Sequence, residues 1–149
     1  MLSKSEYDQI KLSNQLCFSL YSANNAVIRA YRPFLEKIDL TYSQFIVMMA
    51  LWEEDGISLK SLGEQTRLDS GTLTPLLKRL EKKGFVTRTR SKEDERLRVL
   101  LLTDRGWELR DEAAKIPELV KCKIGLPKPA LQETLTYCQE ITSQLSKDT

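Results

Sequence analysis

Two kinds of side chain in this sequence could do chemistry: thiols and clustered cations. The thiols are Cys17, Cys122 and Cys138. A thiolate attacks peroxides and disulfides and ligates metals. The 149 residues include no histidine, which removes the commonest general base and the commonest metal ligand together. Neither a metal nor a cofactor is expected. The cysteine count is odd, and the opening residues lack a basic segment followed by an apolar one. Both features argue against a disulfide framework and for free thiols in the cytoplasm. A cysteine on an apolar helical stripe is ordinarily a small core residue, and Cys138 is read that way.

The cations are few in excess but grouped. Charged residues make up 30% of the chain, yet the net charge is only +2, so any basic surface is local. In one stretch Ser70, Thr72, Thr74, Lys78 and Arg79 are interleaved with Leu73, Leu76, Leu77 and Leu80. A helix so patterned buries its leucines and turns hydroxyls and cations outward. Short hydroxyls let a helix approach the major groove closely, and lysine or arginine can reach guanine or phosphate. The second group is Arg88, Arg90, Lys92, Arg96 and Arg98, with Glu93, Asp94 and Glu95 among them. A basic ribbon tip suits the minor groove, whose negative potential draws arginine. By itself the group would equally suit a solvated edge; beside a recognition helix the DNA reading prevails.

These residues need elements to carry them. The apolar spacing predicts a first helix from about Ile10 to Tyr31, ended or kinked by Pro33. Thr41 and Gln44 form a capping-box pattern for a second helix. Its run Phe45 to Trp52 gives it a nearly all-round apolar surface, so it is buried, and Asp55-Gly56 stops it. That run is the longest of its kind, eight residues, too short to span a bilayer; no membrane association is expected. Ser58 caps a short helix ending near Thr66, and Asp69 or Ser70 caps the leucine-rich helix. Pro75 should loosen the start of that helix, and Gly84 closes it in a left-handed conformation. Phe85 to Arg90 and Leu97 to Leu102 read as a hairpin about the polar turn 91–95. Thr103 caps a further helix, interrupted by Pro117. Residues 125–129 read as a linker before a final helix carrying Leu131, Leu135, Cys138, Ile141 and Leu145.

Helix, short helix, turn, second helix and hairpin make a winged helix-turn-helix. The fold class is mainly α with a small β-hairpin wing. Residues 1–40 read as a dimerisation helix, 41–103 as the DNA-binding domain and 104–149 as C-terminal dimerisation helices. One recognition helix gives little affinity for a specific site, so a homodimer on a pseudo-palindromic double-stranded operator is expected.

The stretch Leu68 to Glu81, with Asp94-Glu95-Arg96 and Leu102-Thr103, resembles the MarR family of dimeric transcription regulators. The resemblance implies that the wing residues Arg88, Arg90, Lys92, Asp94 and Arg96 and the helix residues above contact DNA. Leu16-Cys17-Phe18, Tyr31-Arg32-Pro33 and Thr41-Tyr42 are similar to the organic hydroperoxide resistance branch, of the two-cysteine type. That likeness implies that Cys17 senses peroxide, that Tyr31 and Tyr42 of the other subunit hydrogen-bond to it, and that Cys122 resolves the oxidised thiol. It also implies repression of a detoxifying gene, with release of DNA on oxidation. Cys17 and Tyr31 lie fourteen residues apart, roughly 21 Å in one helix, so they cannot touch within a chain, whereas an antiparallel dimer of this helix could bring them together. Three other readings remain: a regulator of this kind that binds a small aromatic ligand with inert cysteines, a thiol peroxidase, and an interaction module that never meets DNA.

Overall fold

The computed structural model describes residue 1 and residues 3–147. Helices surround one core, with a three-stranded antiparallel sheet at its edge, in which Arg98–Leu102 (β3) lies between Ile57–Ser58 (β1) and Val86–Arg90 (β2). Helix α3 (Tyr42–Glu53) runs through the core, with Phe45, Val47, Met48 and Leu51 almost wholly enclosed. The Thr41 side chain accepts the Gln44 amide at 3.3 Å, and the Gln44 side chain accepts the Thr41 amide at 3.1 Å. The expected capping box is thus formed. The nearly all-round burial has an exception in Met49, which stays 37% exposed in an open groove beside Trp52, Gln65 and Arg110.

The helices and strands that follow come in the expected order. Ser58 caps α4 (Leu59–Thr66), and Arg67 turns the chain with φ 56. Asp69, rather than Ser70, caps α5 (Ser70–Lys82), its carboxylate accepting the Thr72 amide at 2.7 Å. Leu73, Leu76, Leu77 and Leu80 are all buried. Pro75 lies inside this helix. Gly84 has φ 78, the left-handed exit the sequence called for. Strands β2 (Val86–Arg90) and β3 (Arg98–Leu102) pair from Val86↔Leu102 to Arg90↔Arg98. The short strand β1 (Ile57–Ser58) joins β3. Two residues carry no periodicity, so the sequence did not announce it. The Asp55 carboxylate fixes it in place by accepting the Leu102 amide at 2.8 Å.

Three boundaries differ from the sequence reading. The long helix α2 spans Leu16–Leu35, not Ile10 to Tyr31. Before it come α1 (Lys4–Asp8), capped by Ser3, and a 3-10 turn at Leu12–Asn14. The side-chain amides of Asn14 and Gln15 take up the carbonyls of Asp8, Gln9 and Lys11, which competes with helix continuation. Pro33 does not end α2. It lies within the last turn, where a missing amide leaves only the Arg29 carbonyl without a helical donor, and a 3-10 turn (Glu36–Ile38) follows. The linker is also shorter than expected. Helix α8 (Lys128–Ser146) already contains Lys128 and Pro129, a proline in the first turn costing no hydrogen bond.

Helices α6 (Asp104–Ala113) and α7 (Ile116–Ile124) are separate, and the break falls at Ala114–Lys115, just ahead of Pro117. Thr103 caps α6, and the Trp52 indole donates to the Gly106 carbonyl at 2.9 Å. Apolar surface is left over at both ends of the chain. Leu16, Phe18, Leu20 and Tyr21 on α2, and Leu135, Tyr137 and Leu145 on α8, are exposed, and no residue of α8 is buried.

Candidate functional site

On α5 the four leucines face the core, and Ser70, Thr72, Lys78 and Arg79 face solvent; Thr74 is half-buried. The geometry is that of a helix with a free polar side, its first turn capped by Asp69. Such a helix can enter a major groove.

The wing is built by its own small residues. The Ser91 hydroxyl accepts the amides of Glu93 at 3.2 Å and Asp94 at 3.4 Å. The Asp94 carboxylate accepts the Arg96 amide at 3.0 Å, and the Asp94 carbonyl accepts the Leu97 amide at 3.0 Å. Asp94 therefore shapes the tip and holds the backbone at Arg96. Arg90, Lys92 and Arg96 are exposed there. Arg98, which stands opposite Arg90 in the ladder, is exposed too and adds a cation to the same ribbon. Arg88 is placed differently. Strand periodicity puts it on the same face as buried Val86, and its Nε lies 3.3 Å from the Glu81 carboxylate of α5. The pair is close but poorly aligned, since Nε and Nη2 are buried without a hydrogen bond. Arg88 ties the wing to α5 instead of standing out with the other cations.

All three thiols are free; Cys17 and Cys122 are exposed and Cys138 is half-buried. Cys17 sits in the first turn of α2. Tyr31, near the other end of α2, meets Tyr42 in the first turn of α3, with ring centroids 5.2 Å apart. Phe45 closes the cluster, 5.9 Å from Tyr31. Burial raises the Tyr31 hydroxyl above its ordinary pKa, and the neighbouring Tyr42 adds to the effect. Burial alone raises Tyr42. Both phenols are thus held protonated, as hydrogen-bond donors. Within the protomer the structure brings the two tyrosines together and leaves Cys17 apart from them. Cys122 lines an open cavity of about 610 Å³ with Lys121, Leu126 and Lys128. No cluster able to hold a metal ion occurs among the described residues, and none of their helices is long and apolar enough to cross a membrane.

Sequence reasoning missed Glu81 and Lys83. The signal for Glu81 was available in the inward register of Arg88. Lys83 gave none, since its partners, Asp39 and Gln44, lie 44 and 39 residues away.

This architecture matches known proteins over most of its length. The family model described as transcriptional regulator SarA/Rot fits residues 29–113. The organic hydroperoxide resistance transcriptional regulator of Bacillus subtilis (strain 168) is 44% identical over 125 residues, covering 84% of this chain and 83% of that one. Among solved structures, reduced AbfR bound to DNA is 34% identical with a TM-score of 0.76, covering 96% of this chain and 99% of that one. Overoxidized AbfR bound to DNA is 37% identical with a TM-score of 0.75, covering 97% and 99%. Disulfide-formed AbfR is 36% identical with a TM-score of 0.62, covering 98% and 97%. AbfR comes from Staphylococcus epidermidis. An α5 with a free polar side, a cationic wing, a transcription regulator among the relatives and a structural relative, AbfR, held on DNA in two oxidation states lead to one conclusion: the chain belongs to the SarA/Rot family of transcriptional regulators, as a MarR-type winged-helix DNA-binding protein related to the organic hydroperoxide resistance regulators.

Proposed function

We propose that this regulator is a cytoplasmic homodimer that senses organic hydroperoxides through Cys17 and releases its operator when oxidised. Residues 1–40 and 104–149 pair the subunits, and residues 41–103 read a pseudo-palindromic duplex. Ser70, Thr72, Thr74, Lys78 and Arg79 enter the major groove. Arg90, Lys92 and Arg96 reach the minor groove from the wing, while Asp94 and Arg88 hold the wing in shape. The protein acts as a repressor.

The observation that carries the redox reading is the Tyr31–Tyr42 pair at one end of α2, with an exposed Cys17 at the other. Two α2 helices packed antiparallel set each Cys17 against the partner's tyrosine pair, which the roughly 21 Å spacing keeps out of reach within one helix. The apolar surface left open on α2 and α8 is what such packing would cover. The Cys17 thiolate attacks the distal peroxide oxygen; the O–O bond breaks, the sulfur becomes a sulfenic acid and the alcohol leaves. Cys122 of the other subunit then displaces the hydroxyl as water and forms a disulfide. Bridged Cα atoms lie within about 7 Å, so the helices must shift, and the half-site spacing shifts with them. AbfR is found on DNA both reduced and overoxidized, which supports the disulfide, rather than oxidation of sulfur as such, as the releasing event. Cys138 stays a spectator.

Non-reducing gels after treatment with cumene hydroperoxide test the pairing. The parent and Cys138→Ser should give a covalent dimer; Cys17→Ser and Cys122→Ser should not. A covalent dimer band that survives loss of Cys122 contradicts the pairing.

A further inference from the structure

Lys83 occupies a junction that neither the DNA face nor the thiols account for. It terminates α5, its amide donating to the Arg79 carbonyl at 3.0 Å. Its side chain leaves the helix and ends on the joint between α2 and α3. There the ammonium donates to the Asp39 carbonyl, to the Asp39 carboxylate at 2.9 Å and to the Gln44 side-chain carbonyl at 3.2 Å. Asp39 sits in the left-handed region, φ 54, at that joint. Gln44 is 3% exposed, and the oxygen that accepts Lys83 also accepts the Thr41 amide at 3.1 Å. One buried oxygen therefore serves both the cap of α3 and the end of the recognition helix. Tyr42 lies inside that capped turn, against Tyr31. The Lys83 carbonyl is held as well, accepting from Arg105 at 3.0 Å.

We infer that Lys83 is a positioning residue that couples the Tyr31–Tyr42 end of the thiol site to the recognition helix. A displacement of Tyr42 moves the Thr41–Gln44 turn, and Lys83 passes that movement to the C-terminal end of α5. The Asp39–Lys83 pair is partly exposed, with Asp39 at 67%, so it adds little to folding stability. Its effect appears instead as coupling between two sites, which is a ratio of affinities. The inference rests on the peroxide reading above.

The test uses the full-length protein and a duplex selected by the reduced protein from random-sequence DNA. Duplex affinity is measured by fluorescence anisotropy before and after one equivalent of cumene hydroperoxide, with free thiols counted in the same samples. Lys83→Met should lose thiols as the parent does, while the ratio of oxidised to reduced Kd falls about ten-fold. Lys83→Arg, which keeps the charge, should retain most of the parent's ratio. If Lys83→Met fails to fold, Asp39→Asn carries the same expectation of a reduced ratio. Full thiol loss with an unchanged ratio in Lys83→Met, or in Asp39→Asn when it stands in, overturns the coupling role and leaves the peroxide reading intact. A parent whose thiols react without any loss of DNA affinity overturns the peroxide reading, and this inference with it.

Discussion

Burial holds Tyr31 and Tyr42 as phenols, and the consequence is a pH dependence of fixed sign. Both folded pKa values lie above the unfolded value of about 10. Below that pH the two states bind the same phenolic protons. Above it the unfolded chain ionises first, so stability falls as pH rises from the unfolded pKa towards the folded one. Urea unfolding from pH 8 to pH 11 should show this fall, and Tyr42→Phe should flatten it. A slope unchanged by that substitution contradicts the assignment. The cations yield a second expectation. Arg96→Ala should weaken duplex binding by about 1–3 kcal/mol if it reads the groove. Lys78→Ala should weaken binding and shallow its salt dependence if it meets phosphate. Arg88→Ala should act through the fit of wing to helix, so its loss should appear in thermal stability as well as in affinity. The first two substitutions leaving titrations unchanged would mean that the DNA face lies elsewhere.

At the level of elements, what could be read from the sequence was local. The caps at Thr41, Ser58, Asp69 and Thr103 and the leucine side of α5 depend on residues three or four apart, and each formed as expected. What escaped was set at a distance. Strand β1 exists because β3 lies beside it. The start of α2 was moved by side chains that bond back to the preceding turn. Lys83 acquires its role from residues far away in the chain. Gly106 shows the same effect in the core: a Cβ there would overlap the Phe85 carbonyl oxygen, and its own carbonyl receives the Trp52 indole. Gly106→Ala should therefore destabilise by about 1–3 kcal/mol, read as a lower urea midpoint. Asp69→Ala, by removing a cap, should cost about 1 kcal/mol. Equal stability of Gly106→Ala and the parent would mean that α6 draws away easily from the Phe85 backbone ahead of β2, against the packing described.

For the whole molecule, the proposed thiol site requires two subunits. A lone protomer leaves the apolar surfaces of α2 and α8 open and Cys17 away from both tyrosines. Sedimentation should find a dimer at micromolar concentration, and a monomer would remove the basis for a shared thiol site. The most direct test is operator binding by the full-length protein, reduced and then treated with cumene hydroperoxide, in the parent, Cys17→Ser and Cys122→Ser. The parent should bind when reduced and release when oxidised, Cys17→Ser should bind under both conditions, and Cys122→Ser should lose thiols yet stay on DNA. Release of DNA by Cys17→Ser on hydroperoxide treatment, or retention of DNA by the fully disulfide-linked parent, would contradict the account.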